Sequence, residues 1–388
     1  MKSSSSIARS VSLITAIAFC WLMTLAVVAA LPPNQQKLAD ANTDFAFKLV
    51  KEIFKAQPET NIFISPYSVS TIFQMVDNGA RGQTKDEMRQ ALGLAGLSQL
   101  SQNEANQELR RKIESQTTNL VLNTANAMWY REGISVKPEF IACNKGFYQA
   151  TVEGLDFDSP ATVGIINDWV KEKTRGKITS MLDRPIDRMT KLYLANAVYF
   201  KGQWETPFEL SATKDKEFYL RHAPVKKLPM MFQDGSFSYR RGTGYQAVRL
   251  PYEGRNLGMY IFLPDKDSSP EKLLAIMNGD NWRRITVPGF KYLYGSITLP
   301  RFKFEYGVEL KPSLQALGIK SAFELGADFS ALSKEPVMIR GAKQKTFVEV
   351  NEKGTEAAAV TILTDTAPCP VDINPPKPFE MIVDRPFL

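Results

Sequence analysis

The sequence contains few side chains that could carry out nucleophilic or acid–base chemistry. Its single histidine, His222, stands in the polar segment 221–224, RHAP. A serine or cysteine hydrolase needs a base beside its nucleophile, so this one histidine would have to serve any such site. A surface loop residue is the simpler interpretation of His222. A hydrolase is therefore the weakest functional hypothesis for this chain.

The spacing of possible ligands gives no better support for a metal or cofactor site. No two cysteines or histidines are spaced as metal ligands, so we expect neither a metal nor a cofactor. Residues 242–247, GTGYQA, match a dinucleotide fingerprint by letters. No buried parallel strand precedes them and no helical pattern follows them, so we interpret them as a turn. Basic clusters such as residues 110–112 lie among acidic residues, which favours solvated faces over a nucleic-acid site.

The first 30 residues have the pattern of a secretory signal peptide. Lys2 and Arg9 precede residues 11–30, which carry no charge and end on small side chains. We predict cleavage after Ala30, secretion to an extracellular or periplasmic compartment, and no membrane attachment afterwards. The alternative is an uncleaved anchor, because an apolar run of this length can span a bilayer. Cys143 and Cys369 then remain, and we do not predict a disulfide between them.

A segment close to the C-terminus has an unusual composition. Residues 346–350 are β-branched and aromatic, which predicts a strand, and residues 351–354 predict the turn that ends it. Residues 355–361 are small or β-branched and lead into a proline-rich segment, 368–378, that cannot be a central strand. A short helix, an exposed loop and a spare strand all fit residues 355–361.

A spare strand in this segment would have one small, uncharged face. The period of two assigns Thr355, Ala357, Ala359 and Thr361 to that face, and Glu356, Ala358, Val360 and Ile362 to the other. Such a face can enter a packed interior. An alanine-rich surface helix or linker is the alternative.

Helical periodicity dominates the first half of the chain and strand patterns dominate the second. We predict helices over 38–55, 65–75, 84–94, 98–116 and 161–174, with an N-cap at Ser65 and a capping box of Thr84 and Glu87. We predict strands over 61–64, 118–130, 192–200, 236–239, 245–250, 258–263 and 295–304. This order predicts an α+β domain with antiparallel or mixed sheets.

Many separated motifs, in one consistent order, resemble the serpin family. They are residues 61–68 (NIFISPYS), 166–178, 194–204 (LANAVYFKGQW), 299–302 (LPRF), 317–319, 326–330 (GADFS) and 351–361 (NEKGTEAAAVT). The last motif is similar to the hinge of the serpin reactive-centre loop, and residues 379–388 are similar to the strand that follows it. The resemblance implies one α+β domain over residues 31–388, with about nine helices around three β-sheets and an exposed reactive-centre loop. It also implies that the final C-terminal strands of the fold are lacking.

The resemblance implies inhibition rather than catalysis. A target endopeptidase attacks the loop as a substrate, and the cleaved loop then enters the large sheet and traps the covalent acyl-enzyme. For this chain it implies a monomeric inhibitor of serine, or secondarily cysteine, endopeptidases; a non-inhibitory binding or carrier protein is the alternative. The implied hinge is Glu352, Lys353, Gly354, Thr355, Glu356, Ala357, Ala358, Ala359, Val360 and Thr361, and the implied scissile-bond region is Asp365, Thr366, Ala367, Pro368 and Cys369.

The resemblance also implies two clusters around the large sheet. Trp204, Arg301 and Glu352, called the breach below, would hold the top of the sheet closed. Thr355 is then expected to be the first side chain buried during inhibition.

The second implied cluster, called the shutter below, consists of Ser65, Ser68 and Asn196 beneath the centre of the sheet. These residues are expected to form a buried hydrogen-bonded group that lets strands part. The chain departs from the family nearby, because Gln344 or its neighbour stands where serpins commonly carry a histidine.

Overall fold

Helices occupy most of the first half of the chain. The computed structural model describes residues 31–115, 121–286, 289–355 and 377–388, and these contain nine α helices. They are α1 (Pro33–Ala56), α2 (Pro66–Asp77), α3 (Gly82–Ala91), α4 (Gln99–Glu114), α5 (Pro138–Tyr148), α6 (Ala161–Lys173), α7 (Pro270–Ile276), α8 (Gly279–Thr286) and α9 (Lys311–Ala316). Ser65 accepts a hydrogen bond from the Ser68 amide and Pro66 occupies the first turn, so the predicted start of α2 is confirmed.

The strands form two hydrogen-bonded sheets in the described residues. They are β1 (Val121–Arg131), β2 (Thr151–Leu155), β3 (Leu192–Gln203), β4 (Lys214–Phe218), β5 (Lys226–Gly242), β6 (Tyr245–Pro251), β7 (Gly258–Pro264), β8 (Lys291–Pro300), β9 (Phe302–Glu309), β10 (Ile339–Asn351), β11 (Gly354–Thr355) and β12 (Phe379–Ile382). The first sheet has the order β2-β1-β3-β11-β10-β9, and the second has the order β12-β8-β5-β6-β7 with β4 on β5. The long strand β5 pairs with β4, β8 and β6, so in the described residues these strands form one sheet, and two sheets are present where the resemblance implies three.

Four apolar clusters hold these elements together in layers. The largest packs α1 and α2 against one face of the first sheet, and a second fills the space between the two sheets. A third packs α6 on the opposite face of the first sheet, and a fourth packs α7 and α8 on the second sheet. The first sheet is thus covered on both faces, and the α+β prediction is confirmed.

Two predicted features in the first half of the chain are wrong. Residues 61–64 form no strand, because the Phe63 carbonyl accepts from the Thr346 hydroxyl and the Ser65 amide donates to the side chain of Gln344. Thr84 does not cap α3, which begins at Gly82 after Arg81. Its hydroxyl accepts instead from the Asp328 amide, 2.9 Å away.

Other predicted boundaries and one apolar stripe also differ from the structure. β3 continues past Lys201 to Gln203 because its last residues pair with β11. The predicted strand 295–304 is two strands, because β8 pairs with β5 in the second sheet whereas β9 pairs with β10 in the first. In α6 the apolar stripe omits Ile165, which is exposed.

Among the helices in the described residues, none combines the length and apolar composition that a membrane span requires.

Glu87 links α3 to a 3₁₀ turn more than 200 residues away. Its carboxylate accepts from the amides of Lys320 and Ser321, from the Ser321 hydroxyl and from Gln83, at 2.8–2.9 Å. Partial burial favours the neutral acid, but these hydrogen bonds outweigh it and lower the pKa of Glu87 to about 2. The stability that the carboxylate contributes is therefore complete above its ordinary pKa of 4.5 and is lost as the pH falls through about 2.

We expect Glu87→Gln to lower the free energy of unfolding at pH 7 by about 1 kcal/mol, a value discounted for the solvent exposure of the carboxylate. The difference from the unaltered chain should shrink as the pH is lowered below about 4.5. Urea unfolding at several pH values measures both quantities. Glu104→Gln, on the exposed side of α4, is the control and should change little. A pH-independent loss would contradict the assignment of the low pKa to Glu87.

Candidate functional site

The C-terminal end of β10 folds back into the first sheet. A turn of Glu352 and Lys353 connects β10 to β11, and the Lys353 amide donates to Asn351 Oδ1 at 3.0 Å. β11 lies antiparallel between two strands, with Thr355 opposite Val350 of β10 on one side. On the other side Thr355 is opposite Gly202 of β3. The turn and strand match the predicted start of the hinge, while hinge residues Glu356 to Thr361 and residues 365–369 lie outside the described residues.

Below β11 the two flanking strands pair with each other. β3 and β10 form a parallel ladder, called the seam below, that ends at the pair Tyr199 and Phe347. Beyond this pair the strands diverge, and β11 occupies the space between them. Arg175 lies over the ring of Tyr199 at 5.6 Å and Lys177 over the ring of Phe347 at 5.4 Å, so the segment after α6 covers the end of the seam.

Gly354 is required by the close approach of β11 to β3. Its φ of +153° is rarely adopted by other residues. A Cβ atom there would overlap the carbonyl oxygen of Gly202 and lie 2.7 Å from the Cα of Gln203. Both obstacles are backbone atoms, so no side-chain rotation can relieve the overlap.

Glu352 is held at the turn by an ion pair and a hydroxyl. Its carboxylate contacts the guanidinium of Arg301 and accepts from Thr213 at 2.7 Å. Its side chain is only 8% exposed, against 39% for Arg301, so this is not the exposed ion pair of an ordinary surface. Burial by itself raises the pKa of Glu352, but the hydrogen bonds from Arg301 and Thr213 outweigh it, and the pKa lies below its ordinary value.

Trp204 covers the turn from the side of β3. Its indole Nε1 donates to the Asn351 carbonyl and its amide donates to the Lys353 carbonyl, both at 2.9 Å. Its ring stacks on Tyr252 with centroids 4.8 Å apart and an angle of 10° between planes. The three breach residues therefore do lie together around the turn.

Thr355 is already buried in the uncleaved chain. It is 2% exposed, and its hydroxyl is 2.8 Å from that of Tyr252. The expectation that Thr355 is the first side chain buried during inhibition is therefore wrong, because the divergence of β3 and β10 leaves room for it in the uncleaved chain.

The shutter residues are connected through Gln344 of β10. The hydroxyls of Ser65 and Ser68 are 2.9 Å apart, and the Gln344 side chain accepts from the Ser65 amide and donates to its carbonyl. The same amide group donates to Asn196 Oδ1 at 2.5 Å. Asn196 in turn donates to Asn126 at 2.7 Å. The group therefore joins α2 to β10, β3 and β1 across the seam.

Sequence reasoning missed Thr213, Tyr252 and the bridging role of Gln344. No spacing signal marks Thr213 or Tyr252, which follow 3₁₀ and strand segments far from residue 352. The available sign for Gln344 was its position where serpins commonly carry a histidine, since the strand around it is mixed, with Lys343 and Lys345 on either side.

The other candidate sites have no convergent chemistry. The imidazole of His222 is 70% exposed and lies 3.7 Å from the carboxylate of Glu59. Residues 243 and 244 form a turn between β5 and β6, so the predicted turn is present, while residue 242 and residues 245–247 belong to the two strands. In the described ranges no cluster of three or more histidine, cysteine or acidic side chains is placed to bind a metal.

Comparison with known proteins gives a consistent result. A family model described as "Serpin (serine protease inhibitor)" matches residues 40–388. Iripin-2 of Ixodes ricinus is 33% identical, with 92% of this chain and 89% of that protein covered. The leukocyte elastase inhibitor of Bos taurus is 36% identical, with 84% and 89% covered. The structure of human thyroxine-binding globulin complexed with thyroxine has a TM-score of 0.82 and 26% identity, covering 91% of this chain and 94% of that one.

We expect Gly354→Ala to displace β11 and to lower the free energy of unfolding by about 1 to 3 kcal/mol more than a glycine of similar conformation. Gly235→Ala is the matched control, because Gly235 has a φ of +151° but nothing lies within 4 Å of a Cβ built there. Urea unfolding and limited proteolysis near residue 355 compare the two variants. Equal losses would show that backbone conformation, rather than the contact with Gly202, requires the glycine.

A second prediction concerns the carboxylate at the turn. Glu352→Ala should lower the free energy of unfolding at pH 7 by about 1 to 2 kcal/mol. It should also raise the rates of spontaneous loop insertion and polymerisation. Because the pKa of Glu352 is lowered, its contribution is present above the ordinary pKa and is lost as the pH falls through the folded value.

Glu349→Ala is the control for this experiment. Glu349 lies in β10, which ends just before the turn, and pairs with Lys303 at 3.1 Å. Size-exclusion chromatography during incubation at 45 °C, about the lower limit of domain melting, follows polymerisation. Unchanged rates in Glu352→Ala would refute a gating role.

Proposed function

The chain belongs to the serpin family, and from this premise we propose that it inhibits serine endopeptidases, with cysteine endopeptidases as a second target class. The family match and the relatives named as protease inhibitors support inhibition in general. The observation that carries the specific mechanism is β11, a strand already started between β3 and β10 and followed by the small residues of the hinge. The proposed partner is a target endopeptidase, bound covalently by a monomer of this chain.

In the proposed mechanism the chain supplies a peptide bond that the protease attacks and a loop that inserts into the sheet, rather than a catalytic residue. The nucleophile of the protease attacks a carbonyl in residues 365–369, the C–N bond breaks, and the amine of the downstream fragment leaves. The loop carbonyl is then esterified to the protease. Insertion of the upstream loop as a strand carries the ester away before water can hydrolyse it. About a dozen inserted residues, at roughly 0.5 to 1.5 kcal/mol net per hydrogen bond, supply on the order of 10 kcal/mol.

The register of β11 indicates where the sheet must open. If the inserted loop continues this register from Thr355, Glu356 would lie between Lys201 and Glu349, and residue 357 between Phe200 and Val348. Both positions lie in the space where β3 and β10 have already diverged. Ala358 would be the first residue to separate the pair Tyr199 and Phe347 that ends the seam.

The same register explains why the side chains of hinge residues 357–359 would need to be small. Ala357 would face the apolar cluster between the two sheets, where a charge costs several kcal/mol to bury, and Ala359 would lie on the same face between the buried residues Val198 and Thr346. Ala358 would enter beneath the rings covered by Arg175 and Lys177. In this mechanism the breach keeps the top of the sheet closed, and the shutter group around Gln344 exchanges its hydrogen bonds as β3 and β10 part.

A binding or carrier function is the second candidate. The likeness to thyroxine-binding globulin favours it, since that serpin-fold neighbour is described in complex with thyroxine. The small, uncharged side chains of residues 357–359 favour inhibition instead. We also propose that the protein is secreted, on the pattern of residues 1–30.

Incubation with a panel of purified serine and cysteine endopeptidases tests the function. Inhibition predicts a complex that survives SDS and is dissociated by hydroxylamine, which cleaves an ester. Mass spectrometry of the released C-terminal fragment locates the cut, which we expect within residues 365–369. Cleavage there by every protease without any stable complex would overturn inhibition and leave the carrier function.

We expect Ala357→Arg to turn the inhibitor into a substrate, because the guanidinium would have to enter the apolar cluster between the sheets. Glu356→Arg is the matched control, since the same side chain would lie between the polar residues Lys201 and Glu349. At equal protease concentration, Ala357→Arg should lose at least about 90% of the complex while its loop is still cleaved. Equal complex yields from the two variants would show that the alternation assigned to the hinge is wrong.

A further inference from the structure

Tyr252 makes a contact with β11 that the breach residues do not make. Its hydroxyl is 2.8 Å from the Thr355 hydroxyl, and both side chains are almost completely buried. Tyr252 follows β6 in the second sheet, whereas Thr355 belongs to the first sheet. The hydrogen bond is therefore a link between the two sheets at the point where residue 355 enters.

The position of this hydroxyl is fixed by rigid neighbours. The Tyr252 ring stacks on Trp204 at 4.8 Å and meets the edge of Phe200 at 5.0 Å. It also lies close to Gly202, where a Cβ atom would approach the ring to 2.9 Å. The backbone of Tyr252 is held by its amide, which donates to the Leu257 carbonyl at 3.0 Å. The residues that enclose the ring lie in β3 or directly after it, so Tyr252 and this end of β3 form one side of the site.

We propose that Tyr252 is a positioning residue for the inhibitory function proposed above: its hydroxyl holds Thr355 in the sheet before cleavage and so raises the fraction of protease encounters that end in trapping. The hydrogen bond exists only when Thr355 lies between β3 and β10. It therefore favours states with the hinge in the sheet over states with the hinge outside. Because Thr355 stays paired between β3 and β10, the cleaved loop needs only to continue a strand whose register is already set.

Removing the hydroxyl should release the hinge without unfolding the protein. A lost hydrogen bond of this type shifts the equilibrium between hinge-in and hinge-out states about fivefold. Insertion would then begin more often from outside the sheet, and hydrolysis of the acyl-enzyme would win more often. The rate of attack on the distal loop should not change, since residues 365–369 are at least ten residues from Thr355.

Tyr252→Phe, Thr355→Val and the double variant test the proposal, with Tyr260→Phe as control. Tyr260 packs on Trp282 and Phe290 rather than on β11. Hydrogen–deuterium exchange of a peptide over residues 351–356 in the uncleaved chain should quicken about fivefold in Tyr252→Phe, with no change in peptides from β5 and β6. Thr355→Val should give the same increase, and the double variant should add nothing to it.

The second measurement is the number of inhibitor molecules consumed for each protease trapped. This number should rise in Tyr252→Phe while the rate of loop cleavage remains that of the unaltered chain, a split that general destabilisation would not give. The proposal is overturned by unchanged exchange at residues 351–356, by additive effects in the double variant, or by faster exchange throughout both sheets. If no variant and no unaltered chain traps a protease, the inhibitory function and the trapping part of the proposal fail together. The exchange measurement still decides whether Tyr252 anchors Thr355.

Discussion

The structure depends on the divergence of β3 and β10 beyond Tyr199 and Phe347. Two central strands that separate inside a sheet leave backbone N–H and C=O groups without partners, and such groups are costly when buried. β11 supplies partners to both strands over two residues, which is as far as the described chain shows it to extend. The sheet is thus closed along the seam by direct pairing of β3 with β10, and above the seam by the two residues of β11. Every other feature of the site serves to hold this boundary in place.

The two sides of the boundary are held by different forces. Above it, Gly354 permits close backbone approach, Glu352 is bound by Arg301 and Thr213, and aromatic rings enclose the strand. Below it, the strands that must part are joined by their ladder and by the polar group around Gln344. Polar contacts of this kind can exchange one partner for another during opening. An interdigitated apolar contact would have to be broken before any replacement formed, at a cost that scales with buried area.

Local pattern predicted the elements better than their boundaries. The amphipathic repeats of α1 and α6 contain enough turns to specify a helix, and the β10 strand and its turn were evident from residue type. The capping box failed because Glu87 finds its partners at Lys320 and Ser321, which no local rule can anticipate. The prediction of a strand at 61–64 was wrong because side chains of β10, rather than a neighbouring strand, form hydrogen bonds with that backbone. The breach residues came from family resemblance, whereas Tyr252 and Thr213 could be identified only from the folded arrangement.

The early burial of Thr355 changes how the hinge must be understood. If insertion began with Thr355, the size of that side chain would control the rate of trapping directly. Since Thr355 is already in the sheet, its burial contributes equally to the uncleaved and inserted states and cancels from their difference. In the proposed mechanism the rate-controlling step would then move down the strand to residue 358, where the pair Tyr199 and Phe347 would have to separate and the cations above those rings would have to be displaced. That mechanism would require small side chains at residues 357–359 for this reason, whereas residue 355 would need only a hydroxyl that fits beneath Tyr252.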